Sequence, residues 1–118
     1  MGIMKLGKKF RIRAKSDFAM LFDRPSRAAD SVLTLLVKAN TLGYSRYGIA
    51  ISSRHGNAVK RNRVKRISRA AIRQVMASLP AGLDFMLVPR TGKSMSVEKI
   101  ANSLTRLSAK VAARDDLT

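Results

Sequence analysis

Apolar residues recur along this chain with two different periods, and each period marks a different kind of element. Phe18, Leu21 and Phe22 stand at i, i+3 and i+4, one face of a short helix spanning about 17–23. Ser16 and Asp17 offer it an N-cap and a negative charge at its positive end, and Pro25 stops it. Ala28–Ala29 and the run from Val32 to Val37 read as strands, the second long and largely buried. A turn over 40–45, with Gly43, leads into a strand over 47–52 with strict alternation. Tyr47, Ile49 and Ile51 point to one side, while Gly48, Ala50 and Ser52 point to the other. The large side suits a helix-covered core. The small side leaves room for another element or a ligand close to the sheet.

The helical period then returns. Asn57 is placed to cap a helix over 58–78, and Val64, Ile67, Ala71, Ile72, Val75 and, just past its end, Leu79 form one broad stripe. Pro80-Ala81-Gly82 ends it. Residues 84–88 form a compact buried strand closed by Pro89, and a loop containing Gly92 follows. The last helix, about 96–113, carries Val97, Ile100, Ala101, Leu104, Leu107 and Val111 on one stripe. The order is helix, strands, helix, strand, helix, which predicts an α+β fold with helices packed on a mixed sheet. No repeat, low-complexity linker or shift in composition marks a second domain. A single domain is expected over 1–118, with a flexible basic arm at 1–9 and a tail at 114–118.

Charge changes the picture most. Twenty-four Lys and Arg stand against seven Asp and Glu, a net charge of +17. That is far more than solubility requires and predicts salt-sensitive binding to a polyanion. The charge is concentrated: no carboxylate lies between Asp30 and Asp84, where ten Lys or Arg do. Its centre is the stretch 54–73, RHGNAVKRNRVKRISRAAIR, with eight Lys or Arg and one His. Asn62, Arg66, Arg69 and Arg73 project close to the pole opposite the apolar stripe, with Arg63 and Lys65 on the flanks. A charged helix face is ordinarily a solvated face laced with i,i+4 ion pairs. This one has a single sign, and nucleic-acid contact is the better explanation. Gly56 before the helix lets a backbone or a phosphate approach closely.

Several chemistries are excluded or left without material. The absence of cysteine removes disulfides, thiolate nucleophiles and cysteine-based zinc sites. There is one histidine, His55, and no Ser-His-Asp order, phosphate-binding glycine loop or paired metal-binding spacing. No catalytic residue and no metal ligand is therefore assigned. No apolar run is long enough for a signal peptide or a membrane span, so cytoplasmic residence without membrane association is expected. Phe18 and Phe22 admit two readings: core anchors of the first helix, or, for Phe18 at least, the wall of a cleft where an unstacked base could rest.

The segment GNAVKRNRVKRISR, residues 56–69, resembles the signature of the bacterial ribonuclease P protein subunit, built on Arg61-Asn62-Arg63 with Lys65 and Arg66 following. Arg13-Ala14-Lys15-Ser16-Asp17-Phe18 with Phe22, the strand 47–52, the strand 85–90 and the last helix are similar to the family as well, so the likeness runs from about Phe10 to Leu107. It implies an α-β-β-β-α-β-α sandwich with a left-handed βαβ crossover, an exception to the usual hand. It also implies an accessory role in an endoribonuclease whose RNA subunit, with Mg²⁺, cuts the 5′ leader from precursor tRNA. The protein itself would hold no cofactor and need no obligate protein partner. By position, Arg61, Asn62, Arg63, Lys65, Arg66 and Arg69 would contact the RNA subunit, and Phe18, Phe22 and Arg54 would line a leader cleft. Two positions depart from the family pattern: Ser53 and Arg54 stand where consecutive basic residues are usual, and the second strand offers Thr34 and Leu36 where an aromatic is usual. The alternative is an RNA-binding protein of the ribosomal type with no processing role. A basic amphipathic protein of membrane surfaces is a weaker third reading, because one core consumes the apolar stripes.

Overall fold

The computed structural model describes residues 7–91 and 95–113. Residues 1–6 of the expected arm, Gly92 of the expected loop and the expected tail 114–118 lie outside the described residues. The elements run α1 (Lys15–Leu21), β1 (Ser26–Ala29), β2 (Leu33–Ala39), β3 (Arg46–Ile49), α2 (Ala58–Val75), β4 (Leu83–Pro89) and α3 (Val97–Ala112). This is the α-β-β-β-α-β-α order. The sheet is ordered β1-β2-β4-β3, antiparallel at the first two junctions and parallel between β4 and β3. α2 bridges that parallel pair.

The caps explain why two of the helices begin where they do. Asn57 accepts the Lys60 backbone N–H at 3.0 Å and Ser96 accepts that of Lys99 at 3.1 Å. α2 ends at Val75 and continues as a 3₁₀ turn, Met76–Ser78, so the expected limit at 78 belongs to a tightened last turn. α1 departs from expectation: it starts at Lys15 on Ala14, whose carbonyl accepts from Asp17 and Phe18, and Ser16 is not its cap. The Asp17 carboxylate remains in the first turn but is engaged by the sheet.

Strand alternation splits the sheet into two faces. Leu33, Leu35, Val37, Tyr47, Phe85 and Leu87 face the main core, which α2 and α3 close with Ala71, Ile72, Ile100, Leu104, Leu107 and Val111. The other face carries three cross-strand rows, fixed by the register. Lys38, Asp84 and Arg46 form a polar row; Leu36, Met86 and Gly48 form an apolar one; Thr34 and Val88, with Ala50 alongside, form a third. α1 lies on this second face, where Ile12, Leu21, Leu36 and Met86 make a small separate cluster. The amino-terminal segment joins the free edge of β3: Arg11 bridges to Tyr47, Ile12 N–H donates to the Tyr47 carbonyl at 2.8 Å, and Phe10 meets Tyr44 edge to face.

Candidate RNA interface

The signature helix has the two faces its sequence predicts, with one correction. Val64, Ala71 and Ile72 are buried, and Ile67, Val75 and Leu79 pack against the same core. Asn62, Arg63, Lys65, Arg66 and Arg73 are exposed. Arg69, expected near the outer pole, is instead half-buried, as is Arg61. The reason is geometric: Arg61, Lys65 and Arg69 are spaced at i, i+4 and i+8, a ridge that winds along the flank facing β3 rather than the pole. The Nε atoms of Arg61 and Arg69 are buried and have no acceptor among the described residues. Ion pairs join Arg46 to Asp17, Arg46 to Asp84, and Arg106 to Asp30. None of them neutralises the signature helix, so its charge is available to an external anion.

The approach to α2 is conformationally fixed. Gly56 has φ 112°, a backbone conformation that favours glycine, while the neighbour an added Cβ would meet at 2.8 Å, Lys60 Cδ, belongs to an exposed side chain that can move aside. A 3₁₀ turn over Ser53–His55 precedes it, with Ser52 Oγ accepting the Arg54 N–H at 3.0 Å. The His55 ring Nε2 lies 3.1 Å from the Pro89 carbonyl oxygen, pinning this turn to the end of β4. The single histidine is thus a structural fastener. The Arg54 side chain is exposed at the same end of the sheet.

The second face of the sheet forms a cleft with α1. Phe18 is half-buried; its Cε1 lies 3.0 Å from the point where a Cβ on Gly48 would stand. The small side chains foreseen on β3 are what let α1 come this close. Phe22, at the end of α1, is 56% exposed, so it presents its ring to solvent and is not a core anchor. Leu21 between them is the buried residue of the helix. Of the two β2 side chains, Leu36 is buried in the cluster with Leu21 of α1, while Thr34 lies half-exposed beside Val88.

The sequence did not signal how these surfaces meet. A cavity of about 320 Å³ is lined by Arg11, Arg13 and Phe18 on one side and by Gly48, Lys65 and Arg69 on another. A smaller one of about 250 Å³, lined by Ile51, Ala58, Arg61, Asn62 and Lys65, adjoins it along the same helix. Lys65 belongs to both, so the signature ridge and the Phe18 cleft are neighbours. Arg11 and Arg13 reach the site only because their segment pairs with β3, and nothing in local spacing announces that pairing.

Two polar clusters hold the frame. Arg46 donates from Nε to Asp84 Oδ1 at 3.0 Å and from Nη2 to Asp84 Oδ2 at 2.6 Å, and from Nη1 to Asp17 Oδ2 at 3.2 Å. The hydrogen bonds to Asp84 raise the Arg46 pKa against the opposing effect of burial. At the far corner Asp30 is lowered to about 2: burial pushes its pKa up, but the Leu33 N–H, the Ser103 hydroxyl, the Val32 N–H and Arg106 together outweigh it. Among the described residues no group of three or more His, Asp or Glu could hold a metal ion, and no helix is long and apolar enough to cross a membrane.

The comparisons agree with this geometry. The family model described as ribonuclease P matches residues 6–112. The ribonuclease P protein component of Petrotoga mobilis is 32% identical over 111 residues, covering 90% of this chain and 94% of that protein. That of Brevibacillus brevis is 36% identical over 99 residues, covering 82% and 79%. Among solved structures, the RNase P protein from Thermotoga maritima superposes with a TM-score of 0.76 at 25% identity, covering 86% of this chain and 96% of that one. The Staphylococcus aureus RNase P protein superposes with a TM-score of 0.72 at 29% identity, covering 88% and 95%. With a basic helix free of internal counter-charges, an aromatic-lined cleft beside it and a family model that spans nearly its whole length, the chain belongs to the ribonuclease P protein family.

Proposed function

We propose that this protein works as the RNA-binding subunit of a cytoplasmic ribonuclease P in which the RNA subunit, with Mg²⁺, performs the cut. In this reading the α2 face bearing Arg61, Asn62, Arg63, Lys65, Arg66 and Arg69 grips the RNA subunit. The cleft bounded by Phe18 and Phe22, with Arg54 at its end, holds the single-stranded 5′ leader of precursor tRNA. The observation that carries the reading is the unneutralised charge of α2, mounted on a helix whose opposite face is locked into the core.

The physics of assistance follows from charge. Enzyme RNA and substrate RNA are both polyanions, and a protein of net charge +17 between them lowers their repulsion. Substrate then binds at a lower Mg²⁺ concentration than the RNA subunit alone requires. The chain contributes binding and placement, and the proton transfers and metal chemistry belong to the RNA. Reconstitution tests this: the protein alone leaves precursor tRNA intact, and added to a ribonuclease P RNA it promotes cleavage at low Mg²⁺. An unchanged magnesium dependence on adding the protein refutes it. No observation favours the ribosomal-protein reading, which the family relationship does not support.

A further inference from the structure

α1 has little of its own to hold it in place. It is seven residues long, and Leu21 is its one buried residue. Helices this short are not stable alone and take their position from what they pack on. The apolar cluster beneath α1 is small and non-directional, and it opposes sliding only weakly.

Arg46 supplies the missing direction. Two of its nitrogens are committed to Asp84 of β4, whose Oδ1 also accepts from Asn40 Nδ2 at 2.8 Å. The guanidinium plane is therefore locked to the sheet, and its remaining terminal nitrogen reaches up to Asp17 on α1. The side chains are 18% exposed for Arg46, 12% for Asp84 and 34% for Asp17, so the sheet half of the tie is well shielded and the helix half less so. Asp17 precedes Phe18 directly in sequence. On the sheet, Asp84 and Arg46 lie in the row next to the one that holds Met86 and Gly48, on which Phe18 rests. A shift of α1 that lengthens the Asp17 contact thus moves the aromatic ring relative to Gly48, where there is no slack.

We infer that Arg46 is a positioning residue for the leader cleft: by bridging Asp84 and Asp17 it sets where α1 lies on the sheet and so holds Phe18 at the height at which an unstacked base can meet it. The inference rests on the leader-cleft reading above. Lysine cannot replace arginine here, because one ammonium cannot keep a bidentate pair with Asp84 and also span to Asp17.

The test uses the reconstituted holoenzyme with Arg46→Lys, Asp17→Ala, the double variant and Phe18→Ala. Affinity is measured for precursor tRNA with its leader, for tRNA lacking the leader, and between protein and RNA subunit. Arg46→Lys and Asp17→Ala are each expected to weaken leader-bearing precursor by about fivefold and to leave the other two affinities within about twofold. The double variant should be no weaker than either single one, because both remove the same tie. Asp17→Ala leaves the Arg46–Asp84 pair intact, so a folded variant is available even if Arg46→Lys unfolds, as thermal denaturation would reveal. Equal losses with and without the leader, or losses that add in the double variant, overturn the inference. So does unaltered leader affinity in Asp17→Ala while Phe18→Ala weakens it, an outcome that leaves the cleft reading standing. Unaltered leader affinity in Phe18→Ala removes the cleft reading, and the inference with it.

Discussion

Gly48→Ala isolates the contact between α1 and the sheet in a single methyl group. Gly48 is not among the positive-φ glycines, so alanine fits its backbone, and loss of glycine's freedom in the unfolded chain favours the variant by about 0.4–1 kcal/mol. Against this, the new Cβ would lie 3.0 Å from Phe18 Cε1, 3.0 Å from Met86 Cε and 3.2 Å from Met86 Sδ. Optimal carbon contacts lie at about 3.5–4.0 Å, so the neighbours must withdraw by a few tenths of an ångström. Met86 is fully buried and has little room, whereas Phe18 is half-exposed on a short helix and yields first. Overpacking in a rigid core costs about 1–3 kcal/mol; with Phe18 free to move, the lower end applies, and net stability changes by less than about 1 kcal/mol. The functional effect is larger than the thermal one. Base–aromatic stacking contributes about 1–3 kcal/mol, and losing roughly 1 kcal/mol of it weakens leader-dependent binding about fivefold. The assay pairs thermal denaturation of the protein with holoenzyme affinity for precursor tRNA with and without leader. In a Phe18→Ala background the same alanine should cost no further leader affinity. A large loss of stability with leader discrimination intact would show that Met86, not Phe18, takes up the clash, and would refute the placement of Phe18 as the yielding wall.

Two further outcomes are expected. Arg63→Ala weakens assembly with the RNA subunit more than Phe18→Ala does, while Phe18→Ala weakens leader-bearing substrate selectively; each lost phosphate contact flattens the logarithmic salt slope by about 0.7–0.9, read from affinities across a salt series. Asp30, with a folded pKa of about 2 below its ordinary value of 3.8, contributes stability that is present above pH 4 and lost as pH falls toward 2. Asp30→Asn should therefore lower stability at neutral pH by roughly 2 kcal/mol and shrink the acid-induced loss in that window, as denaturant unfolding at several pH values would show.

Much of this molecule is written in local pattern. The period-2 run at Tyr47–Ser52 set large side chains toward a core and small ones toward a cleft, and the sheet uses Tyr47, Ile49, Gly48 and Ala50 that way; β3 ends at Ile49, and beyond it Ile51 lines the groove beside Arg61 while Ser52 caps the 3₁₀ turn. Asn57 and Ser96 cap the helices they precede, because an N-cap depends on a few adjacent residues. Pattern was weakest at α1, where apolar spacing is right but the start is displaced and Phe22 turns outward. So short a helix takes its limits and rotation from its surroundings.

Sequence alone determined the element order, the two-faced signature helix and the absence of carboxylates within it, since each depends on residues close together in the chain. Tertiary structure alone decided that Arg69 and Arg61 line a groove rather than an outer ridge, that Arg11 and Arg13 join them, and that Arg46 ties Asp84 to Asp17. Those contacts join residues separated by tens of positions. Their geometry comes from strand register and from the approach of α1 to β3, which no local period encodes.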